Sequence, residues 1–155
     1  MKLDADQFPW LEINGGTDTS YLVHHDLSIL GSDRAAGTID LLIRFDAVGG
    51  HCHAHRHLTT TSVLVLEGEQ HIDELHPGGE RVHKVRRAGD HHLTPGDPYP
   101  HMERGGPDGA LLFFSHHTPD GRLYEIVDDD GAEISVVTID SLIAAWESSG
   151  MGERA

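Results

Sequence analysis

Glycine and proline divide most of this chain into pieces too short for anything but strands. Turn signals stand at Asn14-Gly15-Gly16, Gly31-Ser32-Asp33, Gly49-Gly50, His76-Pro77-Gly78-Gly79, Ala88-Gly89-Asp90, Pro95-Gly96-Asp97-Pro98, Gly105-Gly106-Pro107-Asp108-Gly109 and Asp128-Asp129-Asp130-Gly131. Between them lie short apolar or β-branched runs, among them Thr38–Phe45, Thr59–Leu66 and Ala110–Ser115. Runs of that length are strands, because a globular helix needs more room. Further strands are expected at Tyr21–Val23, Leu27–Leu30, Gln70–Glu74, Arg81–Val85, His91–Thr94 and His101–Glu103, with a last hairpin from Tyr124–Val127 and Glu133–Val137. Gly68 interrupts the run after Leu66 and suits a bulge or turn. One segment reads as a helix, from an Asp140 N-cap to Gly150, with Leu142, Ile143 and Trp146 on one face. About ten short strands with one terminal helix make an all-β sandwich or barrel. A chain of 155 residues without repeat or linker fits one domain, 1–155, with a real core.

Charge narrows the partners. Asp and Glu outnumber Lys and Arg by 26 to 11, a formal net charge of −15, which argues against nucleic acid and anionic membranes. Cys52 is the single cysteine, so no intrachain disulfide forms, and it reads as a buried structural thiol. Without an N-terminal apolar segment or a run long enough to span a bilayer, a cytoplasmic protein is expected.

The 14 histidines are the chemical signal. Four of them, His51, His53, His55 and His57, fall at alternate positions, and on an unbroken strand all four would share a face. Imidazole is the commonest protein metal ligand and is neutral near physiological pH. Alternation alone does not say which of the four bind. Most of the others, including His24, His25, His71, His83, His116 and His117, read as exposed strand or loop residues.

Gly49-x5-His55-x-His57-x3-Thr61-x6-Gly68 resembles the first motif of the cupins, and Gly89-x5-Pro95-Gly96-Asp97-Pro98-Tyr99-Pro100-His101 resembles the second. The resemblance covers roughly residues 40–116, leaving a C-terminal hairpin and helix at 122–150. It implies a jelly-roll barrel, or double-stranded β-helix, with one short C-terminal helix. It implies His55, His57 and His101 as metal ligands and leaves His51 and His53 aside. The acidic residue usual in the first motif is absent, with Thr61 in its place, and the second motif carries one extra residue and lacks its trailing Asn. A three-histidine site with open positions is similar to that of cupin dioxygenases that cleave carbon–carbon bonds in β-diketones, the acetylacetone-cleaving and dihydroxyacetophenone-cleaving enzymes.

That resemblance implies a divalent metal, Fe(II) first, with Zn, Ni or Mn as alternatives, since imidazole does not select iron by affinity. Glu103, Thr61 and His92 are the residues expected to stand behind the ligands: Glu103 shares a strand face with His101, Thr61 with His57, and one of His91 and His92 must point inward. The expected partners are a small carbonyl substrate and O2, and the expected assembly a homodimer. Two other readings stay open: a cupin that binds metal or a small molecule without catalysis, and a redox-neutral isomerase or lyase.

Overall fold

The structure, a computed structural model, describes residues 3–15 and 20–153, so Gly16 of the first turn lies outside them. The ten strands are β1 (Leu11–Asn14), β2 (His24–Asp33), β3 (Thr38–Phe45), β4 (His55–His57), β5 (Thr60–Leu75), β6 (Arg81–Arg87), β7 (His91–Thr94), β8 (His101–His117), β9 (Arg122–Val127) and β10 (Glu133–Thr138), followed by helix α1 (Ile139–Ser148). Every pairing between these strands is antiparallel, and one path runs β1-β2-β3-β8-β4-β9-β10, with β5 against β8 and carrying β6 and β7 on its other side.

Two long strands organise the molecule. Along β5, Thr61, Val63 and Val65 alternate inward, and along β8 so do Ala110, Leu112, Phe114 and His116. The outer half of β8 also pairs with β3, whose Leu41, Ile43 and Phe45 face the same interior. These side chains form one core with Leu142, Ile143 and Trp146 of α1. Leu112 is wholly buried, which contributes roughly 2 kcal/mol by area.

The segment expected to loop at Gly105–Gly109 stays within β8, but as an excursion. Gln70 of β5 pairs with Gly105 and Gly68 with Ala110, so residues 106–109 are thrown out while the register closes behind them. Only glycine fits at the closure. Gly68 has φ +71°, and a Cβ there would stand 2.1 Å from the Gly109 carbonyl oxygen. The excursion lets one strand carry both the apolar wall and, at its first residues, His101 and Glu103.

Two local expectations change. The stretch 51–57 is not one strand: His51 makes an isolated bridge, the chain bends at Ala54, and β4 spans only His55–His57. The four histidines therefore do not share a face. The α1 N-cap is Thr138, not Asp140; the Thr138 hydroxyl accepts from the Ser141 N–H and the Ser141 hydroxyl from the Thr138 N–H. Asp140 sits in the first turn, where its charge favours the helix dipole.

Candidate metal centre

Strand pairing brings distant residues to one point. His55 of β4 lies opposite His101 of β8, and His57 follows two residues later on the same face. His101 and Glu103 share a face of β8, and all four side chains are buried. One donor atom from each of His55, His57, His101 and Glu103 lies within 4.8 Å of every other. The Nε2 atoms of His55 and His57 are 3.0 Å apart, His101 Nε2 and Glu103 Oε1 are 2.9 Å apart, and His55 Nε2 and Glu103 Oε1 are 4.0 Å apart.

These separations let one ion reach all four atoms. Three imidazoles and one carboxylate are donors for a divalent transition metal.

The surroundings prepare the donors. His55 Nδ1 is 2.8 Å from the His53 carbonyl oxygen, which fixes the proton on Nδ1 and leaves Nε2 free for a metal. Asp97 accepts from the His57 backbone N–H at 2.9 Å, and its carboxylate lies 3.5 Å from Nδ1 of both His57 and His101. Burial, with the neighbouring imidazoles, pushes His55 down to about 3 and His57 well below the ordinary imidazole range, so both are neutral and metal-ready at pH 7. Burial alone would lower His101 and raise Glu103. Their mutual hydrogen bond and charge outweigh it, raising His101 and, with help from His55 and Gln70, holding Glu103 at about 2. Gln70, fully buried, donates to Glu103 Oε2 at 3.1 Å and accepts from Arg86 at 3.3 Å. A chain of contacts thus runs from β6 through β5 to β8.

The expected site residues fall as follows. The three histidines converge, and Glu103 converges with them. The carboxylate absent at the Thr61 position is present after all, delivered from β8 rather than β5. Thr61 is wholly buried but one layer back, 3.1 Å from His116 Nδ1. His116 is buried, against the expectation of exposure; its ring stacks on Phe114 and meets His57 edge-on. His92 is not brought to the group. It stands exposed on β7, a short strand paired only with β5. His51 packs on Tyr21, and His53 lines the cavity beside the group without joining it. Cys52 is buried as expected, yet on the site side. Its Sγ accepts from the Glu103 N–H at 3.1 Å and lies 3.5 Å from His55 Nδ1.

Sequence reasoning passed over Asp97, Gln70 and Tyr124. Asp97 lies inside the second motif, so its position was open to notice; no local signal marks Gln70 or Tyr124, which reach the site through strand pairing. Beside the group opens a cavity of ≈ 280 Å³, walled largely by apolar side chains of the barrel and by Leu142 and Ala145 of α1. Among the described residues no helix is long and apolar enough to cross a membrane.

No protein-family model and no curated protein sequence matches the chain. Solved structures do. A candidate acetylacetone dioxygenase from Methylibium petroleiphilum is 18% identical with a TM-score of 0.66, covering 94% of this chain and 93% of its own. An acetylacetone dioxygenase from Acinetobacter johnsonii is 14% identical with a TM-score of 0.68, covering 96% and 90%. An RmlC-like cupin protein from Ralstonia eutropha is 17% identical with a TM-score of 0.69, covering 97% and 86%. Such identities establish architecture rather than activity. Antiparallel strands curled around a buried His, His, His and Glu group, and these likenesses along nearly the whole chain, give the protein the cupin fold.

Proposed function

We propose that the protein is a non-haem Fe(II) dioxygenase that cleaves a carbon–carbon bond in a β-diketone or related carbonyl compound. His55, His57, His101 and Glu103 would hold the ion. The observation that carries the reading is the convergence of three buried imidazoles and one buried carboxylate, with donor atoms within 4.8 Å of one another, beside a cavity that could take a substrate. The likeness to acetylacetone dioxygenases supports it.

When bound, the ion would act as Lewis acid and template for a chelating enolate and bring O2 to it. The chain does the rest. His55 and His57 present neutral imidazoles, each steadied through its far nitrogen or backbone by His53 and Asp97. Glu103 adds one negative charge that Gln70 keeps aligned. The largely apolar walls of the cavity beside the donors lower the polarity there and so strengthen the charge interactions inside it. On this reading the chain works as a cytoplasmic homodimer on a small molecule.

Anaerobic loading with Fe(II), followed by oxygen uptake on a panel of β-diketones and aryl ketones, tests the reading. Stoichiometric uptake with cleaved products is expected. Tight retention of Zn with no oxygen consumption on any panel member would overturn it in favour of redox-neutral chemistry or simple binding.

A further inference from the structure

The cavity beside the metal-binding group has few polar atoms left to offer. His55, His57 and Glu103 belong to the group itself. His116 is tied to Thr61, Cys52 to Glu103 and His55, and Ser141 to the α1 cap. His25 lines the cavity with a buried Nδ1 that has no hydrogen-bond partner among the described residues, and His53 is only half-buried. Neither Lys nor Arg lines the cavity among the described residues.

Tyr124 remains. It lies on β9 opposite His57 in the strand register, with its ring centroid 5.3 Å from that of His55 and 6.1 Å from that of His57. Among the described residues its hydroxyl has no hydrogen-bond partner, and the side chain lines the cavity. Buried phenols ordinarily find a partner. A phenol whose ring packs on those of His55 and His57 and which lines a largely apolar cavity lacks only an acceptor, and a substrate oxygen would supply one.

We propose that the Tyr124 hydroxyl donates a hydrogen bond to an oxygen of the substrate held at the metal-binding group, and that this substrate is a small, uncharged, mainly apolar carbonyl compound. The proposal rests on the dioxygenase reading above for the presence of a carbonyl ligand and goes beyond it in naming the donor and the substrate's charge. A cavity of ≈ 280 Å³ is at the small end of ligand sites, which run from about 300 Å³ upward. A substrate tail bearing a carboxylate would be buried without a cation to face, a strongly unfavourable arrangement. A hydrogen bond to an enolate oxygen is charge-assisted and stronger than a neutral one.

The test is binding, without turnover. Wild type and Tyr124→Phe are loaded anaerobically with Fe(II), their metal content is measured, and each is titrated by calorimetry with acetylacetone, heptane-2,4-dione and 4,6-dioxoheptanoate. The Phe exchange removes one oxygen and keeps the ring packing. Expected results are equal metal content, acetylacetone binding about tenfold or more weaker in Tyr124→Phe, and binding of 4,6-dioxoheptanoate to wild type at least about tenfold weaker than heptane-2,4-dione. Acetylacetone affinities within about twofold of each other would overturn the donor role, and equal binding of the charged and uncharged seven-carbon ligands would overturn the substrate class. Metal-loaded wild type that binds none of the diketones would instead overturn the dioxygenase reading, and this proposal with it.

Discussion

His116 gives a prediction whose size follows from its surroundings. It is buried between Phe114 and His57, with Thr61 as its polar neighbour, and burial lowers its pKa to about 4. In the unfolded chain the same imidazole titrates near about 6.5. Between those values the unfolded state binds the proton and the folded state does not, so stability is full above about pH 6.5 and falls as pH drops toward about 4. The whole gap corresponds to roughly 3 kcal/mol, of which roughly 2 kcal/mol is lost between pH 7.5 and pH 5. His116→Gln keeps a polar partner for Thr61 and cannot titrate. Urea unfolding of the metal-free protein at pH 7.5 and pH 5, followed by the fluorescence of buried Trp146, reads the difference. Other buried histidines titrate in both proteins, and only His57, whose pKa His116 helps to lower, differs between them. Wild type should lose roughly 2 kcal/mol more than the variant on acidification, a midpoint difference on the order of 1 M urea. Equal losses would refute the claim that His116 is held neutral by burial.

Two further outcomes follow from contacts. Glu103→Gln removes the one negative charge of the donor group while keeping its shape; metal affinity should fall by more than about a hundredfold, as read by competition with a chromophoric chelator, and a fall within about tenfold would remove Glu103 from the ligands. Gly68→Ala forces a Cβ against the Gly109 carbonyl in a left-handed conformation, and should destabilise the fold by roughly 3 kcal/mol or more, seen as a lowered thermal midpoint.

Where one strand decided its own residues, the sequence was readable. Thr38–Phe45, a β-branched and aliphatic run free of Gly and Pro, has the same limits as β3. The hairpin around Pro77-Gly78 and the one around Asp128–Gly131 stand where their turn residues put them. Legibility ended where partners are non-local. Four alternating histidines imply one face only if the backbone stays extended, and the bend at Ala54, imposed by pairing with β8 and β9, is not written in the alternation. Thr61 drew attention because it occupies a motif position normally acidic, whereas the carboxylate that joins the group sits two residues after His101. The face that His101 and Glu103 share was legible; that β4 pairs beside His101 in the same sheet was not. His116 was the opposite case: the period-two series Leu112, Phe114 already pointed it inward, and the abundance of histidine masked that signal. Asp140 lost the cap to Thr138 because the hydroxyl reaches the free N–H of Ser141 from two residues further back.

The central claim is that His55, His57, His101 and Glu103 together hold one divalent ion. Metal analysis of purified wild type and His101→Ala, with circular dichroism to confirm the strand content of both, tests it most directly. The account predicts about one divalent ion per chain in wild type and loss of that ion from the folded variant. A folded His101→Ala protein that keeps stoichiometric metal would contradict it.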